Sequence, residues 1–388
     1  MRRPPRPARP PALRVLALAA ALVVAGCGGG GDDDPASVRG GDVFLATAQG
    51  LDDEQLAGQS VIVGFRQHGA TIPPALRDAI AAGRVGGVIL FGENGRTVAP
   101  VRALARRLQA IERPGRLQAV RLLVMSDQEG GLVRRIEDAP PARSAAEQAR
   151  AGAATVRAAG RGSARALCRA GVNVNLAPVA DRAGGFIAGQ DRAYAADAAR
   201  AGALAAAFAR GARDGGIAAT AKHFPGLGSA TTNTDEARSV VDRPLAALRA
   251  EDEAAFAPAI RDGVPLVMLA NAIYPALDRT PAVLSRRVVE GELRGRLGFR
   301  GVTISDDLQA GAFRATTDRG SLAVAAAAAG VDLLLYGQDA DEGSTAVDAL
   351  ADALAAGRLD RARQQRAVAR ILRLRTALTR GACGAAAG

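Results

Sequence analysis

Ala218-Ala-Thr-Ala-Lys-His-Phe-Pro-Gly-Leu-Gly228 is a short run of small and apolar residues that breaks at a Pro-Gly turn. Its length, and the Ala/Arg/Leu-rich helical patterns on both sides, make it a β-strand that runs out into a loop. The charged pair Lys222 and His223 stands where the strand ends. Lys222 is the only lysine in 388 residues, while every other member of the 50 Lys and Arg residues is arginine. An ammonium on a slim stem enters a narrow site that a broad, planar guanidinium cannot, so position 222 reads as part of a pocket. The plainer alternative is a lysine at the core edge, paired with a carboxylate.

Seven further apolar runs have the same character, at residues 60–65, 85–91, 122–126, 172–178, 266–271, 302–305 and 331–336, each followed by a helical pattern. With 218–223 they make eight βα units, which predicts an α/β fold of the (β/α)8 TIM-barrel kind, a single domain over residues 46–380. An open doubly wound sheet is the rival architecture. A barrel gathers its functional residues at the carboxyl ends of its strands. Asp127, Asp181, Lys222, His223, Asp306 and Asp307 all stand at such ends. Residues 359–378 read as a closing amphipathic helix with Ile371, Leu372 and Leu374 inward and arginines outward.

Residues 1–26 carry five arginines and no acid ahead of an apolar stretch too short to span a membrane, which predicts an export signal. Val24-Ala25-Gly26-Cys27 resembles a bacterial lipobox, which implies cleavage before Cys27 and a lipid on its sulfur. The membrane is then a partner only through that anchor, with ordinary secretion as the alternative. The glycine- and aspartate-rich stretch 27–45 reads as a flexible tether, and 381–388 as a loose tail. Loss of the leader lowers the formal charge from +11 to +6. No basic block interleaved with aromatics remains, so no nucleic-acid partner is expected. Cys168 and Cys383 have no metal-type spacing; Cys168 reads as a small core residue, and nothing in the sequence argues for a bridge between them. No metal site and no cofactor motif is read from the chain.

Four segments in order, Asp127-Gln-Glu-Gly-Gly131, Asn175-Leu-Ala-Pro-Val-Ala-Asp181, Lys222-His-Phe-Pro-Gly226 and Ser305-Asp-Asp-Leu308, resemble glycoside hydrolase family 3, and within it the single-barrel bacterial β-N-acetylglucosaminidases that trim cell-wall sugars. The resemblance implies a retaining, exo-acting β-glycosidase acting on envelope glycans, with a carbohydrate as its partner and Asp306 as nucleophile. It also implies that Asp127, Arg135, Arg192, Lys222 and His223 bind the terminal sugar. Asp307 is the near competitor of Asp306, but neighbouring residues leaving a strand point opposite ways, so only one of them is expected to face the pocket.

The chain departs from the family pattern beyond Lys222-His-Phe-Pro-Gly226. The family's second histidine is Leu227 here, and the Asp-His pair that serves as acid/base is replaced by Asn233 and Asp235 in Thr232-Asn-Thr-Asp-Glu236. Asp235, or else Glu236, is then the candidate proton donor, because a carboxylic acid in a water-poor loop can hold its proton. Other readings are a donor from another loop, a glycan-binding protein without turnover, or a β-glucosidase of the same family. His68 is read as a loop residue.

Overall fold

A computed structural model describes residues 1, 42–315, 318–381 and 383. The leader, Cys27 and the tether as far as residue 41 lie outside them. All eight expected strands are present: β1 (Val61–Val63), β2 (Gly87–Ile89), β3 (Leu123–Ser126), β4 (Val174–Asn175), β5 (Ala218–Phe224), β6 (Leu266–Leu269), β7 (Val302–Ser305) and β8 (Leu334–Tyr336). They pair in parallel in the order β8-β1-β2-β3-β4-β5-β6-β7. A bridge from Ile304 to Leu333 joins the two ends, with Leu333 N–H donating to Thr303 O at 2.9 Å and Ser305 N–H to Leu333 O at 2.8 Å. The order never reverses, as a doubly wound sheet would require, so the sheet is a barrel.

Side-chain alternation divides the strands between two cores. Ile62, Leu123, Met125, Leu266, Met268, Val302 and Ile304 fill the barrel. Val61, Val63, Val124, Val267 and Leu269 face the surrounding helices. Burial on both faces explains why the strands read as unbroken apolar runs. The inward series of β3 leads on to Asp127, that of β5 to Lys222, and that of β7 to Asp306, so one two-residue period delivers three polar side chains to the mouth.

The Ala/Gly-rich helices Ala153–Arg169 and Ala198–Asp214 pack almost backbone to backbone. A Cβ on Gly160 would lie 2.2 Å from Phe208 O, and one on Gly211 would lie 2.1 Å from Arg157 O. The last helix, Arg361–Arg380, closes the floor by adding Ile371 and Leu378 to the barrel interior. Leu372 is buried as expected, and Leu374 is half-buried.

Three sequence expectations need correction. Arg375 does not face outward: it is 0% exposed and donates to Arg121 O at 2.7 Å and to Gln59 Oε1, and burial beside Arg113 pushes its guanidinium down to about 9. The flexible tether ends sooner than residue 45, because Asp42 caps helix Val43–Gln49 by accepting from Phe44 N–H and Leu45 N–H. Arg373 then clasps that helix end, 2.6 Å from Asp42 and over the Phe44 ring. Finally, Cys383 is not loose. It is buried and bonded to Cys168 with the Cα atoms 5.4 Å apart, which ties the chain end to helix Ala153–Arg169. Among the described residues no helix is long and apolar enough to cross a membrane.

Candidate active site

A cavity of about 360 Å³ opens at the carboxyl ends of the strands, and Asp127, Arg135, Arg192, Lys222, His223, Asp235 and Asp306 all line it. Seven residues spread over 180 positions of sequence thus meet at one mouth. Arg66 and Phe91 join them, with the guanidinium groups of Arg66 and Arg135 lying 4.6 Å and 5.6 Å from the centre of the Phe91 ring. His68, two residues beyond Arg66, is exposed.

One wall is a buried ionic network. Lys222 Nζ donates to Asp127 Oδ1 at 2.7 Å and lies 2.8 Å from Glu129 Oε1. Arg192 forks onto the same Glu129, with Nε 2.9 Å from Oε2 and Nη2 2.8 Å from Oε1. Burial works against every charge here, yet Glu129 is held well below the usual carboxylate range because Arg192 and Lys222 outweigh it. For Lys222 the burial penalty is likewise overcome, by Asp127 and Glu129, and its ammonium is held above its ordinary value. Arg192, nearly buried against Glu129, is raised for the same reason. Arg135 Nε stops 4.0 Å from Asp127 Oδ2 and has no hydrogen-bond partner among the described residues.

His223 is fixed from behind by Asp181. That carboxylate is 0% exposed, lies 2.8 Å from His223 Nδ1, and accepts from the backbone N–H of His223 at 3.1 Å and of Leu227 at 2.7 Å. Glu129 and Asp181 stand within the quoted segments, but their tasks emerge only from these contacts. For Glu129 a signal was available: it lies two residues beyond Asp127, on the same side of an extended chain.

Asp306 and Asp307 both line the cavity, which corrects the expectation that only one would. Alternation stops applying because the chain leaves the strand after Ser305, with Leu308 N–H turning to Leu335 O at 2.9 Å. Asp307 is nevertheless the more tightly held, accepting from Gln309 N–H at 2.9 Å and Gly337 N–H at 3.1 Å. Burial pushes the Asp306 carboxyl upward; the neighbouring His223 opposes this, and the charge of Asp235 adds to it. Burial lifts Asp307 to about 6 against the pull of its two backbone donors.

Asp235 lies on the loop that follows β5 and is exposed at the cavity edge, which corrects the expectation of a water-poor setting for this carboxyl. The loop is fastened at separate points. Tyr274 Oη donates to Gly226 O at 2.9 Å at one end, and Thr234 is buried at the other. Asn233 Oδ1 accepts from Asp235 N–H at 3.1 Å, which shapes the turn. Asn233 Nδ2 reaches Glu236 rather than Asp235. Among the described residues no group of His, Cys, Asp and Glu is gathered to hold a metal ion.

The chemistry of this mouth, carboxylates facing a cation-supported polar wall, is suited to gripping hydroxyls and cleaving an acetal. Residues 55–374 match the model of the glycosyl hydrolase family 3 N terminal domain. The chain is 36% identical over 345 residues to a protein of Arthroderma benhamiae described as an uncharacterized secreted glycosyl hydrolase, covering 86% of this chain and 96% of that one. It is 35% identical over 244 residues to a beta-hexosaminidase of Xanthomonas oryzae pv. oryzae, covering 60% and 70% of the two chains. Among solved structures, a family 3 beta-N-acetylglucosaminidase from Paenibacillus sp. str. FPU-7 superposes with a TM-score of 0.78 at 35% identity, over 86% of this chain but only 64% of that one. A beta-N-acetylhexosaminidase from Beutenbergia cavernae superposes with a TM-score of 0.77 at 33% identity, over 84% and 98%. The eight-stranded barrel, the ordered motifs at its mouth and these likenesses together make the chain a glycoside hydrolase, and it belongs to glycosyl hydrolase family 3.

Proposed function

We propose that the protein is a retaining, exo-acting β-glycosidase of the β-N-acetylhexosaminidase type, with Asp306 as nucleophile and Asp235 as acid/base. The observation that carries this reading is the pairing of carboxylates in one cavity: Asp306 and Asp235 line the same mouth, beside a wall built from Asp127, Lys222 and His223. In the first step an Asp306 carboxylate oxygen attacks the anomeric carbon, the bond to the leaving oxygen breaks, and the proton of Asp235 passes to that oxygen. In the second, a water gives its proton to Asp235 and its oxygen to the anomeric carbon, which releases Asp306.

Asp127, Lys222 and His223 would hold the hydroxyls of the terminal sugar. Arg135, whose Nε lacks a partner among the described residues, would donate a further hydrogen bond. Arg192 acts on the sugar and also secures Glu129. The substrate class rests on relatives described as beta-hexosaminidases and a beta-N-acetylglucosaminidase, and envelope glycans fit an exported chain. Export is supported by the basic, apolar leader, by a relative described as secreted, and by a disulfide of the kind that persists outside the reducing cytoplasm. Lipidation at Cys27 would keep the enzyme at the outer face of the cytoplasmic membrane.

The test is to trap the enzyme with a 5-fluoro N-acetyl-β-glucosaminyl fluoride, which keeps the 2-acetamido group, and with a 5-fluoro β-glucosyl fluoride, then map the labelled peptide. Label on Asp306 from the first donor supports the reading, and faster labelling from the second would make the enzyme a β-glucosidase. Failure of the unmodified protein to label or to hydrolyse any aryl β-glycoside would leave a glycan-binding protein instead.

A further inference from the structure

We propose that Gly311 is a positioning residue that latches the Asp235 loop across the cavity, so that the segment carrying the nucleophile also sets the place of the proton donor. The proposal rests on the reading of Asp235 as acid/base.

The loop after β5 is fastened at its base by side chains. Ser229 Oγ accepts from Arg182 Nη2 at 2.5 Å and from Arg243 Nη1 at 2.9 Å, and both arginines are bound to the buried Asp252, at 3.0 Å and 2.9 Å. At its tip the fastening is backbone to backbone. Gly311 N–H donates to Asp235 O and Ala312 N–H donates to Thr234 O, each at 2.9 Å. Those donors open the short helical turn Gly311–Phe313, where N–H groups have no partner within the turn itself, so the loop carbonyls satisfy groups that need acceptors.

The junction leaves no room for a side chain at position 311. A Cβ there would lie 2.3 Å from Glu236 O, 2.4 Å from Glu236 C and 2.7 Å from Asp235 O. Gly311 has an ordinary negative-φ backbone, so the glycine serves close approach rather than an unusual conformation. The Asp235 carboxylate has no hydrogen bond of its own among the described residues, so its place depends on the docking of the loop backbone. Gly311 is five residues beyond Asp306 on the same segment. Moving the latch would therefore change the distance between the two carboxylates, on which retaining chemistry depends.

Proton donation matters in proportion to the basicity of the leaving group. The experiment measures kcat/KM of the full chain on 2,4-dinitrophenyl and on phenyl N-acetyl-β-glucosaminides, or on the matching glucosides if trapping favours glucose. A dinitrophenolate leaves without a proton, whereas a phenolate needs one. Gly311→Ala is expected to stay within about threefold of the unmodified enzyme on the first substrate and to fall roughly a hundredfold on the second, the low end of what general acid catalysis contributes. Asn233→Ala, which removes the acceptor of Asp235 N–H, is expected to show the same split and serves if Gly311→Ala fails to fold. Equal losses on both substrates, or no loss on either, overturn the latch. If Asp235→Ala itself shows no split, the donor reading fails and the latch with it; a split in Asp235→Ala alone overturns only the latch.

Discussion

Glu129 Oε1 and Lys222 Nζ stand 2.8 Å apart in a wall where each side chain is 3% exposed, and the same carboxylate is forked by Arg192. One buried anion thus holds two of the cations that face the cavity. Glu129→Gln leaves Lys222 and Arg192 without that charge in a dry place. The expected loss of stability is on the order of 3 kcal/mol, because removing one partner strands the others. Urea unfolding of the two proteins compares them, and an unchanged midpoint would count against this account of the wall.

Lys222→Arg keeps the charge and changes only its shape. Two carboxylates at 2.7 Å and 2.8 Å enclose a single nitrogen. A guanidinium cannot put one nitrogen there without displacing Asp127 or Glu129. KM for an aryl glycoside is expected to rise about tenfold or more, the loss of one charged hydrogen bond. Equal KM values for lysine and arginine would remove the reason for the chain's single lysine.

Asp307 makes a prediction about pH. Its carboxyl titrates near 6 in the folded chain, against about 4 in an unfolded one. The folded state therefore binds the extra proton, and that contribution to stability is complete below about pH 4 and is lost as the pH rises through 6. Asp307→Asn keeps an oxygen for Gln309 and Gly337 and does not titrate. Relative to the unmodified protein, it should gain stability between pH 4 and pH 7 by about 2 to 3 kcal/mol. Thermal melts at the two pH values give the comparison, and parallel pH dependence in both proteins would show that Asp307 does not hold its proton.

The bond between Cys168 and Cys383 joins residues 215 positions apart. Closing so long a loop restricts the unfolded chain, and its removal by Cys383→Ser is expected to cost about 2 to 5 kcal/mol. Thiol titration of the denatured, unreduced chain should find neither of these two sulfurs free. If it finds both, the bridge is absent in solution.

Most of the framework is legible in the sequence because its signal is local. Eight apolar runs became eight strands, and the two-residue period that fills the barrel also leads to Lys222 and Asp306. The rest comes from contacts between distant segments. Arg375 reads as one more arginine on an amphipathic helix until Gln59 and Arg121 are seen beneath it. Cys383 sits among small residues that say nothing of Cys168. Asp181 looks like a loop carboxylate until three donors converge on it. The loop carrying Asp235 has the composition of a flexible segment, but its carbonyls are taken up by Gly311 and Ala312 on another part of the chain.

Helix Val43–Gln49 packs against Arg361–Arg380, which seals the barrel where its strands begin, while the cavity opens where they end. The first and last helices of the domain are thus both spent on the closed end of the barrel, which leaves its open end to the loops and strand ends that carry Asp127, Lys222, Asp235 and Asp306.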